Sequence, residues 1–144
     1  MHFHVPLLLY APGRVPGGRR IDTVASELDV LPTAASLAGL AYLNSSLGRD
    51  LLDPAFDDRR YTFTIGDQGK VPQLGLVGKD YAFGIFGDGS NRRLTALGGD
   101  RRSNLAAREP ETAATMEALC RALYETARYL PFVNGPEKVR GAGR

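Results

Sequence analysis

Two histidines one residue apart, His2 and His4, form the only His-x-His of the chain. On a strand both side chains would point to one side, as two metal ligands could. No acidic third ligand lies near them in sequence, so the pair alone does not define a metal site. The other reactive groups are scattered. Asp29 opens a helical stretch and Asp50 sits in a turn, positions where a carboxylate typically accepts backbone N–H groups. Asp57-Asp58 and Asp67 could bind a cation, but acidic turn residues are commonplace. The single cysteine, Cys120, falls on an apolar helical seam and reads as a small core residue rather than a nucleophile. There is no G-x-S-x-G elbow, no glycine-rich phosphate loop with Lys-Ser/Thr, and no H-E-x-x-H pair.

The elements that would position these groups follow from the apolar pattern. Val5 to Tyr10 is a continuous apolar run, which suits a strand buried on both faces of a parallel sheet. Ala11 to Arg20, rich in Pro, Gly and Arg, is a loop. Asp29 is expected to cap a helix with Pro32 in its first turn, Leu31, Ala34, Ala35 and Ala38 on its packed face, and Gly39 as its stop. Tyr42 to Asp58 is a turn-rich connection.

From Tyr61 onward the period changes to two. Tyr61–Ile65, Leu74–Val77, Tyr81–Phe86 and Arg93–Leu97 read as an antiparallel meander, with Gly78-Lys79-Asp80 closing a hairpin. Pro110 then opens a helix whose stripe is Ala113, Met116, Cys120, Leu123, Ala127 and Leu130. Pro131 is expected to end it at Leu130. Three parts result: residues 1–52 as a piece of an α/β layer, 53–134 as a small antiparallel subdomain with one covering helix, and 135–144 as a flexible tail.

With 144 residues the chain is of single-domain size, and 43% hydrophobic and 24% charged residues are ordinary for a globular protein. A net charge of +2 gives no electrostatic footprint for nucleic acid, and the four Arg pairs each abut Gly, Asp, Asn or Ser as solvated turn residues do. Nothing at the start has the pattern of a signal peptide or a membrane span. A parallel strand needs neighbours, and Val5–Tyr10 has no second buried strand near it in sequence. That mismatch predicts that an N-terminal catalytic portion lies outside this chain.

The stretch His4-Val5-Pro6-Leu7-Leu8-Leu9-Tyr10-Ala11-Pro12-Gly13, followed by Asp29-Val30-Leu31-Pro32-Thr33, Ala38-Gly39-Leu40 and Gly48-Arg49-Asp50-Leu51-Leu52, resembles the closing part of a sulfatase-like catalytic domain. It is similar to lipoteichoic acid synthase and phosphoglycerol transferase relatives in the alkaline phosphatase superfamily. In these an H-[IV]-P-L-L-I-Y-A-P-G strand precedes a D-x-x-P-T helix and a G-R-D-L-L turn. Tyr81-Ala82-Phe83, Asp100, Asn104-Leu105-Ala106 and the final helix look like that family's C-terminal subdomain.

The resemblance implies metal-dependent attack on a phosphate or sulfate ester through a covalent intermediate. It implies a divalent cation in the intact parent (manganese, magnesium, calcium or zinc), with none bound by this fragment alone. The family's nucleophile and main metal ligands precede the H-V-P strand and match no residue here. His4 is the candidate for lining the site, at the active-site end of the sheet. Arg49 is the second candidate, its alternative being an ion pair that stabilises its own turn.

The expected function is therefore the C-terminal portion of a metal-dependent phosphoglycerol transferase or phosphate/sulfate ester hydrolase, inactive alone. Its partners would be the missing N-terminal catalytic portion and an anionic ester substrate, with no nucleic acid. The parent is expected to be bacterial and membrane-anchored or extracytoplasmic. The alternative is a non-catalytic binding or interaction module.

Overall fold

The computed structural model describes residues 5–15, 17–18, 20–59, 61–66 and 69–134, with the side chains of Asp58 and Arg59 left aside. His2, His4, Arg19, Arg60, Asp67 and the 135–144 tail lie outside the described residues. Four strands follow one another, β1 (Thr62–Gly66), β2 (Gln73–Val77), β3 (Tyr81–Phe86) and β4 (Arg93–Ala96). They form one antiparallel sheet in the order β1-β2-β3-β4, so every neighbour in space is a neighbour in sequence. Ahead of the sheet stands α1 (Val30–Ala38) and behind it α2 (Pro110–Val133).

Alternation builds the sheet's inner face. Leu76 pairs with Phe83 and Phe83 with Leu94, while Leu74 pairs with Ile85. These five side chains are buried together with Ala106 and with Ala113, Cys120 and Leu123 of α2. The α2 stripe and the β meander therefore meet as the periods of 3.6 and 2 require. The outer edge of β4 is closed by the next segment: Asn104 accepts the Leu94 N–H through Oδ1 (3.0 Å) and donates through Nδ2 to the Arg92 carbonyl (3.0 Å). Leu105 N–H then reaches the Leu94 carbonyl at 2.8 Å.

Three expectations change. Val5–Tyr10 forms no strand; Val5, Leu8 and Tyr10 are 72%, 90% and 87% exposed. Its composition asks for a buried site between two neighbouring strands, and no described residue offers one. On α1 the buried residues are Pro32, Thr33 and Ala35, while Leu31, Ala34 and Ala38 face outward, because the chain packs against the Pro32–Thr33 side only. Third, α2 continues through Pro131 to Val133, and Asn134 N–H closes it on the Leu130 carbonyl (2.9 Å). Proline in the last turn forfeits one hydrogen bond without stopping the helix at once. Gly39, in contrast, does end α1, in the left-handed region at φ 69° with its N–H on the Ser36 carbonyl.

The arginine pairs are less idle than solvated turns. Arg92 and Arg121 both meet the Glu117 carboxylate, at 2.8 and 2.9 Å. Arg93 donates to the carbonyls of Arg101 and Arg102. No helix among the described residues is long and apolar enough to cross a membrane.

Cys120 is fully buried, and burial pushes its thiol from the ordinary 9.0 up to about 11. The unfolded thiol ionises first, so its contribution to stability is intact below pH 9.0 and is lost as pH rises through about 11. A thiol reagent such as dithionitrobenzoate at about pH 8 is expected to leave the native chain unmodified and to titrate one thiol once the chain is unfolded. Rapid native modification would show that α2 is not seated on the sheet.

Candidate functional site

The two motif stretches of the N-terminal part come together, and one carboxylate joins them. Asp29 ends a 3-10 turn (Glu27–Asp29) that runs directly into α1, and it is fully buried. Asp29 holds the N-cap position of α1 without a side-chain cap bond of its own, and the capping side chain is that of Ser26 at the head of the 3-10 turn: Ser26 Oγ accepts the Leu28 N–H (3.0 Å), and Asp29 Oδ2 accepts the Ser26 N–H (2.8 Å) as the returning half of a capping box. The other oxygen, Oδ1, accepts the Arg49 backbone N–H at 2.8 Å. The Arg49 guanidinium lies alongside, with Nε and Nη2 each 3.4 Å from the carboxylate.

One helical turn later Thr33 repeats the grip. Its hydroxyl donates to the Asp29 carbonyl (2.6 Å) and accepts the Leu51 N–H (2.9 Å). Residues 29 and 33 share a helix face, and the backbone N–H groups of residues 49 and 51 both turn toward it. The D-V-L-P-T and G-R-D-L-L stretches therefore fit as two edges of one clasp. Gly48 makes the close approach possible: a Cβ there would stand 1.9 Å from the Leu28 carbonyl oxygen.

From the clasp Arg49 reaches on to the sheet. Its Nη2 donates to the Tyr61 carbonyl, and its guanidinium lies 4.5 Å from the centre of the Tyr61 ring. Thr62 Oγ1 donates to the Ala25 carbonyl (2.7 Å), and Asn134 at the end of α2 donates to the Ser45 carbonyl (2.7 Å). Arg49 is 7% exposed, with its charge directed to Asp29 and Tyr61.

Beside the clasp is an open groove of about 350 Å³, lined by Pro32 and Ser36 of α1 and by Leu40, Tyr42, Asp50 and Phe56, with Arg49 along one wall. Asp50 uses Oδ1 to accept the Leu52 N–H (2.9 Å), closing its turn as its position in the sequence suggests. Among the described residues no His, Cys or Lys lines the groove. His4, the other candidate, lies outside the described residues.

Among the described residues no three His, Cys, Asp or Glu side chains come together to hold a metal ion. Asp29 is engaged by two backbone N–H groups and a guanidinium. The described residues do not fit a divalent-cation site, and no chemical step is assigned through one. Titration is perturbed elsewhere, at exposed turns. Asp100 is lowered by the N–H of Arg102 and the hydroxyl of Ser103, and Asp88 by Ser90. The hydrogen bond to Glu109 raises Tyr81. These shifts belong to turn closure and helix entry rather than to a reactive centre.

The architecture is that of the C-terminal part of a sulfatase-like fold. Solved structures that share this likeness include two sulfatases. A 2-O GAG sulfatase is 22% identical with a TM-score of 0.55, the match covering 70% of this chain and 25% of that one. A candidate sulfatase from Bacteroides thetaiotaomicron VPI-5482 is likewise 22% identical with a TM-score of 0.55, the match covering 74% of this chain and 25% of that one. The matched region thus corresponds to about a quarter of the length of either sulfatase. No family model matches the sequence, and no curated protein matches it.

The clasp yields two stability predictions. Arg49→Met leaves the buried Asp29 carboxylate without its cation and is expected to cost about 3–5 kcal/mol in urea unfolding. A loss near zero would mean the pair is solvated. Gly48→Ala forces the Leu28 carbonyl away and is expected to cost about 1–3 kcal/mol, whereas Gly98→Ala, which meets no atom within 4 Å, should be close to neutral.

Proposed function

We propose that this chain is the C-terminal part of a sulfatase-like enzyme of the alkaline phosphatase superfamily. In this reading it completes the α/β layer of the catalytic domain and carries the small antiparallel subdomain, while nucleophile and main metal ligands come from outside it. The observation that carries the reading is the fold likeness to two sulfatases over at least 70% of the chain.

The distribution of exposed apolar side chains supports it. Among the described residues twelve of the fifteen exposed large hydrophobic residues lie within residues 5–52, the others being Ile65, Tyr129 and Phe132. A surface so unevenly apolar is that of an element lacking its packing partner. Val5–Tyr10 and the outward side of α1 with Leu31 are the natural pieces to enter a larger sheet and its helix layer.

The parent's reaction is attack on a sulfate or phosphate ester with divalent-metal assistance. The lipoteichoic acid synthase and phosphoglycerol transferase likeness of the motif stretches favours a phosphoglycerol substrate in a bacterial membrane-anchored or extracytoplasmic enzyme. Within it His4 would stand at the active-site end of its strand. Arg49, held by Asp29, would position the G-R-D-L-L turn rather than touch substrate.

Turnover tests the proposal. Aryl sulfate and aryl phosphate assays of the chain alone, with manganese, magnesium or calcium added, are expected to give no rate above the metal-only control. Metal-dependent turnover abolished by substituting a residue within this chain would overturn the assignment of nucleophile and ligands to a portion outside it.

A further inference from the structure

We propose that the outer edge of β1 is a self-complementary interface through which two copies of this chain join their sheets into one of eight strands. This does not rest on the proposed function. The hydrogen-bond parity of the sheet fixes which groups the edge offers. Gly78 N–H bonds the Tyr81 carbonyl, so even-numbered residues of β2 address β3, and Val77, Gly75 and Gln73 address β1. Their partners Thr62, Thr64 and Gly66 therefore turn inward, leaving Tyr61, Phe63 and Ile65 to turn outward. The Tyr61 carbonyl is taken by Arg49. The N–H and C=O groups of Phe63 and Ile65 have no backbone partner among the described residues on that side.

The opposite edge, at β4, is closed by Asn104 and Leu105, so the two ends of the sheet differ. Exposed edges are normally guarded by charge, proline or a bulge. Thr62–Gly66 has none of these: it carries no charged residue, and its five pairs with β2 run without a break.

A two-fold axis through Thr64 pairs the strand antiparallel with itself. Phe63 then faces Ile65 of the second copy, and Ile65 faces its Phe63, both as closely hydrogen-bonded pairs. The four free N–H and C=O groups on each side are all satisfied. The side chains agree with this register. Phe63 and Ile65 lie on the core face, opposite Leu76 and Leu74, and would meet as aromatic–β-branched pairs; Thr64 would meet Thr64. Ile65, 50% exposed at the rim of the core, would be covered. Thr62, tied to the Ala25 carbonyl, would face Gly66, which has no side chain to obstruct it. α2 packs over β2 and β3 and also touches β1 from the core face.

Sedimentation of the full chain over a concentration series, with amide exchange at each concentration, tests this. The expected result is a monomer–dimer equilibrium in which Phe63 and Ile65 amides gain protection with concentration, while Thr62 and Thr64 amides are protected throughout. Thr64→Lys and Thr64→Glu each place like charges across the axis and are expected to weaken association about tenfold or more. An equimolar mixture of the two variants should restore it. Thr64 is exposed, so unchanged far-UV dichroism is expected to confirm that both variants fold. A monomer at every concentration, or association that survives Thr64→Lys through the apolar 5–10 segment, would overturn the proposal.

Discussion

The buried carboxylate of Asp29 is the constraint on which the N-terminal part depends. An ionised carboxyl group removed from water is costly unless its oxygens are filled, and here both are: one by the capping-box N–H of Ser26, the other by the N–H of Arg49, with the guanidinium across both. One side chain thereby starts α1, fixes the chain twenty residues later and orients the arginine that reaches the sheet through Tyr61. Thr33 and Gly48 serve the same junction, one by a second hydrogen bond and the other by having no Cβ. The groove beside α1 and the position of Asp50 follow from that closure rather than from any reactive grouping.

What was legible in the sequence divides along the same line. β1 to β4 and α2 were readable because each carries its period within a short window and packs on its neighbours in sequence; Leu74, Leu76, Phe83 and Cys120 sit where alternation and the helical stripe put them. The clasp was only half readable. Asp29 and Thr33 lie four apart and so share a helix face, but nothing local says that the N–H groups of Arg49 and Leu51 meet it. For the same reason Asp29 resembled a cap: Ser26, three residues earlier, has equal capping power, and only the tertiary contact with Arg49 draws the aspartate inward. The Val5–Tyr10 run shows the limit of composition. It specifies a buried environment without specifying whose, and among the described residues that environment is not met.

The sheet is guarded asymmetrically. On its β4 side Asn104 imitates a further strand, using one amide group to accept from Leu94 and donate to Arg92. On its β1 side the protection stops at Tyr61, where Arg49 takes the last carbonyl. The Arg49 guanidinium, with the Thr62–Ala25 and Asn134–Ser45 hydrogen bonds, ties the N-terminal part to the sheet and its helix and leaves the middle of the edge strand bare.

The strictly sequential order of the strands has a kinetic consequence. Each pairing closes a loop of only a few residues, so hairpins β2–β3 and β3–β4 cost little chain entropy to form, and α2 can settle on a sheet already assembled. The contact between Asp29 and Arg49 spans a longer loop and needs Tyr61 in place before the guanidinium has a second anchor. A nascent chain of this layout would order itself from its C-terminal half backward, with the apolar N-terminal residues last to find a home.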